Sequence, residues 1–176
     1  LVEYNITGHV KKILDKDNSE EEELTEEQIL EILEKIHNGS SFETTKFELK
    51  ETLWYDVRKS EHAESAIKNL KLEYAVVDEI CAFLNTSGGH VLIGVTNDGV
   101  IKGITEERDL QWMGEGKKDP DHFADMISKK LEEKYFKDAA TANLVRVKPM
   151  IVGGYPIIVI KIKKSFNFNY IPSYPE

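Results

Sequence analysis

Apolar residues recur at helical spacing in three stretches of the chain. In residues 25–37, Ile29, Leu30, Ile32, Leu33 and Ile36 form one stripe, the pattern of an amphipathic helix. Thr25 stands at the N-cap with Gln28 three residues on, a capping box, and Asn38-Gly39 stops the helix. In residues 67–83 and just beyond, Leu70, Val77, Ile80, Cys81 and Leu84 sit near helical spacing beside Tyr74 and Ala75. In the third stretch Asp119 caps and Pro120 takes the first helical position, ahead of Phe123, Met126, Ile127, Leu131 and Tyr135.

Elsewhere the period is two. Phe47 and Leu49 alternate with Lys46, Glu48 and Lys50, as in a half-buried strand. Residues 90–95 read as a buried strand, entered from the 85–89 turn. The hairpin turn Thr96-Asn97-Asp98-Gly99 follows, and residues 100–104 return antiparallel. Residues 143–150 and 155–162 pair across a Gly153-Gly154 hairpin. The predicted fold is α+β, a mixed, mostly antiparallel sheet of about five strands with two main helices packed on it.

The first forty residues differ in character. They show little periodicity up to residue 24 and carry Glu20 to Glu23 with Glu26, Glu27, Glu31 and Glu34. The expected division is an acidic segment with one helix at 1–40 and a globular domain at 41–176. Packing on that domain is the simplest role for the helix, and partner contact or homo-oligomerisation is the alternative. The chain opens on Leu1 rather than Met, as expected of a piece of a longer protein with additional domains.

Net charge is −9, which argues against tight, charge-driven nucleic-acid binding by the chain as a whole. The charge is uneven, however. Lys46, Lys129, Lys130, Lys161, Lys163 and Lys164 are candidates for a locally basic, phosphate-contacting face. No apolar run approaches the roughly 18 residues of a membrane span, and the start lacks the basic-then-apolar order of a signal peptide. The single cysteine, Cys81, makes no internal disulfide. It is expected to be a small buried hydrophobe in a cytoplasmic, reducing setting.

Chemistry concentrates on acidic residues. Glu48 and Lys50 share a strand face, the arrangement by which a carboxylate holds a divalent ion and a lysine stabilises charge at a phosphate. The same alternation also describes an ordinary solvated strand face. Glu43 lies five residues before Glu48, and Asp98 sits at a hairpin tip, where turn formation is its simplest role. Three carboxylates converging on one point need a cation between them. Hard oxygen ligands select magnesium or manganese, and no Cys/His set is spaced for zinc. His90, at the head of the buried strand, is expected to be a satisfied structural residue. Gly88-Gly89 runs from helix to strand, opposite to a phosphate loop.

The run from Ala82 through Asn85-Thr86-Ser87-Gly88-Gly89-His90 to Gly94-Val95, then Asn97-Asp98-Gly99-Val100-Ile101-Lys102-Gly103-Ile104, resembles the core signature of the Schlafen family's Alba-like domain. Glu43-x-x-x-x-Glu48-Leu49-Lys50 is similar to that family's acidic strand motif, with Leu49 where Phe is usual. The resemblance spans about residues 41–172. It implies nucleic-acid work: cleavage of structured RNA such as tRNA by two glutamates, an aspartate and a divalent metal, or binding without catalysis as a DNA-binding or regulatory module. By motif position Glu43, Glu48 and Asp98 are the implied metal and catalytic residues, with Lys50 beside them. Asn97 is the alternative to Asp98. RNA is the more expected partner.

Overall fold

The computed structural model describes residues 23–39, 44–56, 68–105, 119–136 and 138–166. Among them the sheet has four strands: β1 (Phe47–Lys50), β2 (Gly89–Ile93), β3 (Val145–Val152) and β4 (Tyr155–Ile162). Their order is β1-β2-β4-β3. β1 and β2 are parallel, and the other two pairings are antiparallel. The α+β class is as expected, with four strands instead of about five. Residues 100–104 do not extend into a strand. After the turn only the Val95–Ile101 bridge forms, and the Lys102 and Gly103 amides both donate to the Gly94 carbonyl, which folds the backbone back on itself.

The crossover between the parallel strands contains α2 (Leu70–Asn85). Asn69 caps it through the Lys71 amide. It ends in a tight turn at Gly88, whose φ of +67° and close approach to the Ile162 carbonyl leave no room for a Cβ. α3 (Pro120–Lys130) is capped by Asp119, which accepts from the His122 amide at 2.8 Å. It widens into a π turn, Leu131–Tyr135. The short α4 (Ala139–Ala142) leads into β3.

The sheet buries both faces. Val91, Ile93, Ile158, Ile160 and Ile162 pack beneath α2 and α3. Leu49, Leu92, Val159 and Ile157 point the other way, toward α1 (Glu26–His37). Covering both faces explains why β2 is apolar almost without interruption. α1 has the predicted capping box, with Gln28 accepting from the Thr25 amide at 2.8 Å. Its Ile29, Ile32 and Leu33 are buried in the sheet-facing cluster, each contributing on the order of 1.5–3 kcal/mol. The helix is therefore a structural layer of the fold. Its companion Leu30 is exposed.

Candidate nucleic-acid interface and acidic strand

β1 is an edge strand, and its period sends Phe47 and Leu49 toward α1 and Glu48 and Lys50 toward α2. Register confirms the side: Glu48 aligns with Val91 and Lys50 with Ile93. The Lys50 ammonium lies 2.7 Å from the Glu48 carboxylate and 3.7 Å from Glu79 of α2. One cation is thus bracketed by two carboxylates, and Glu79 is a member the sequence reading missed.

Asp98 sits elsewhere. Its carboxylate accepts from the Thr96 hydroxyl inside the turn, and that hydrogen bond holds its pKa below the usual carboxylate value. Its carbonyl accepts from His37 Nδ1 at 3.1 Å. Gly99, next in the chain, packs against the Leu33 carbonyl. The turn therefore leans on α1, whereas Glu48 faces α2. Glu43 lies outside the described residues. Among the described residues, no three Asp, Glu, His or Cys side chains are grouped as metal ligands.

The six candidate lysines are divided among different tasks. Lys46 donates to the Ser87 carbonyl at 2.6 Å, fastening β1 to the turn after α2; burial lowers its pKa. Lys129 is an exposed partner of Glu133. Lys130 lies 2.8 Å from the buried Glu73. Lys163 holds the strand end through its amide, which donates to Leu144, and Lys164 is exposed. Lys161 has the most distinctive setting. It stands on β4 opposite Arg146 of β3 and beside His90 of β2.

These residues define one rung across the sheet: Phe47, His90, Lys161 and Arg146. Phe47 and His90 stack with ring centroids 5.3 Å apart. Lys148 follows two residues after Arg146 on the same face. Together Arg146, Lys148, Lys161 and His90 line a cleft whose far wall is Glu23 and Leu24. The expectation of a satisfied His90 does not hold, because its buried Nε2 has no hydrogen-bond partner among the described residues. Burial, with help from Lys161 and Lys46, pushes the imidazole pKa down to about 4, so the ring is neutral near pH 7.

A second cluster lies on the other face. Glu73, nearly inaccessible within α2, accepts from Trp54 Nε1 and the Tyr135 hydroxyl and pairs with Lys130 and Lys134 at 2.8 and 3.0 Å. Burial raises its pKa, but the hydrogen bonds outweigh burial and bring it to about 2. Lys68, 4.4 Å from the Trp54 ring centre, is lowered to about 8, by burial first and then by Lys130. The π turn lets Lys134 and Tyr135 both reach Glu73. Cys81, expected to be buried, is half-buried and accepts from Asn85 Nδ2 at 3.5 Å.

The family model described as Schlafen, AlbA_2 matches residues 43–174. The chain belongs to this family. Membership of the Schlafen AlbA_2 family suggests a nucleic-acid-binding domain, and the match begins at Glu43, the first residue of the acidic motif. Within this Schlafen AlbA_2 domain, Arg146, Lys148 and Lys161 stand around one cleft. No helix among the described residues is long and apolar enough to cross a membrane.

Proposed function

We propose that this domain binds nucleic acid, structured RNA ahead of duplex DNA, on the α1 side of the sheet through Arg146, Lys148 and Lys161. The observation that carries this reading is the register of those cations around one cleft with the His90 ring among them. Cations in a row track a phosphate backbone, and structured RNA is placed first because the family resemblance implies it. The overall charge of −9 makes the attraction local and salt-sensitive. Fluorescence anisotropy with a tRNA-like hairpin, a single-stranded RNA and a duplex DNA tests it. Arg146→Ala combined with Lys148→Ala is expected to weaken hairpin binding at least about tenfold at low salt. Unchanged affinity removes the proposal.

Cleavage of the bound RNA is the second reading, supported by Glu48 and Glu79 flanking Lys50. These residues fit a hard divalent ion in part. Their carboxylates are suitable donors, and both are turned toward an ammonium. Magnesium or manganese would draw on Glu48 and Glu79, with Glu43 as the further candidate and Asp98 set apart by its place beside α1, and when bound would supply charge neutralisation at the phosphate and a more acidic water. Lys50 would then stabilise charge developing on the phosphate oxygens. The test is incubation of tRNA with Mn²⁺ and either wild type or Glu48→Ala. Cleavage by wild type alone supports the nuclease, whereas equal cleavage, or none in either sample, rejects it.

A further inference from the structure

We propose that Glu23 is a built-in competitor for the phosphate site, so that its carboxylate gives way to a phosphate when the cleft accepts RNA. The inference rests on the nucleic-acid reading and adds a regulation to it. One carboxylate oxygen of Glu23 accepts from Arg146 Nη1 at 3.0 Å and also from Lys148 Nζ. A single anionic oxygen shared by an arginine and a lysine on adjacent same-face positions of a strand is the contact that a nucleic-acid phosphate makes.

Two further features give the contact its direction. Leu24, the next residue, is buried in the α1 cluster, so the backbone is anchored and Glu23 is held at the cleft wall. The ion pairs themselves are open to solvent: the side chains of Arg146, Lys148 and Glu23 are 50%, 48% and 42% exposed. Pairs of this kind hold weakly, and the carboxylate exchanges readily for a better anion. The pairing hydrogen bonds from Lys148 and then Arg146 keep the Glu23 pKa below its ordinary value, so the competitor is charged at neutral pH. Its strength is therefore modest, about two- to five-fold in affinity, a range that tunes binding without abolishing it.

Anisotropy titrations of a labelled RNA hairpin distinguish this inference from the reading beneath it. Four full-chain proteins are compared: wild type, Glu23→Gln, Glu132→Gln and the Arg146→Ala/Lys148→Ala double variant. Glu132 is exposed on the α2–α3 side, and its substitution changes net charge by the same amount. Glu23→Gln is expected to tighten binding about two- to five-fold. It should also steepen the salt dependence by about one, because RNA then displaces counterions where it formerly displaced a carboxylate. Glu132→Gln should leave both near wild type. If Glu23→Gln matches wild type or Glu132→Gln while the double variant binds weakly, the competitor is wrong and the phosphate site stands. If the double variant binds like wild type, the phosphate site itself is wrong.

Discussion

Arg146 stands directly opposite Lys161 across the β3–β4 ladder, two cations in one cross-strand pair. Like charges at that spacing cost a strand pair roughly 0.2–1 kcal/mol. Replacing Arg146 by Thr, a good strand former, should therefore leave urea-unfolding stability the same or slightly higher, within about 0.5 kcal/mol. The same change should weaken RNA binding and reduce the salt slope by about one. Loss of stability together with loss of binding would make Arg146 a structural residue.

Glu73 is the opposite case, a carboxylate on which the fold depends. Glu73→Ala leaves Lys130 and Lys134 converging on an empty centre, and truncating one side of a buried ion pair costs about 3–5 kcal/mol. The pH dependence follows from the depressed pKa. The folded value is about 2 against an ordinary 4.5. Its contribution, on the order of 3 kcal/mol, is thus complete above pH 4.5 and is lost as pH falls toward 2. Acid unfolding monitored by tryptophan fluorescence checks the window, and the Glu73→Ala variant should show a flatter profile there.

His90 titrates with the same sign. Its folded pKa is about 4 against 6.5, so the unfolded chain binds a proton first, and stability declines as pH drops from 6.5 toward 4. Imidazole NMR resonances should show no protonation of His90 at pH 6. A phosphate held beside Lys161 should move its pKa upward, since an anion favours the protonated ring.

Gly99 couples the hairpin turn to α1. Its φ is +82°, and an added Cβ would meet the Leu33 carbonyl at 2.7 Å. Gly99→Ala should cost about 1–3 kcal/mol and loosen the helix. Hydrogen exchange at the α1 amides should accelerate more than exchange in α2, whereas uniform acceleration would count against the coupling.

The three long helices were legible, but of their N-caps only Thr25 and Asp119; the second runs Leu70–Asn85 from an Asn69 cap instead of over 67–83, and Ala139–Ala142 was not foreseen. Thr25 with Gln28, Asp119 and the Gly153-Gly154 hairpin act within a few residues of themselves. The alternation around Glu48 was legible too, but its neighbour Glu79 was not, since a crossover of some thirty residues brings it there. The cationic rung lay half in view. Once a two-residue turn is fixed at Gly153-Gly154, counting back from it pairs Arg146 with Lys161. What no local pattern announces is Glu23, which meets Arg146 only because α1 folds across the sheet. Glu73 left a subtler trace, an acidic residue four before Val77 and seven before Ile80 on the buried stripe of α2. A charge at such a position needs partners from elsewhere, and those come from α3 and its π turn.

β3 is the outer strand on its side of the sheet, and at eight residues it matches the longest strand described. Among the described residues no strand pairs with its outer side, and an unpaired strand of that length is a template on which another polypeptide can order its own backbone. Pro149, in the middle of β3, has no amide hydrogen to offer such a chain. Arg146 and Lys148, both exposed on β3, would face their own duplicates in an in-register parallel pairing of two copies of the strand. The residues proposed to attract phosphate would thereby also disfavour fibrous self-association through this strand.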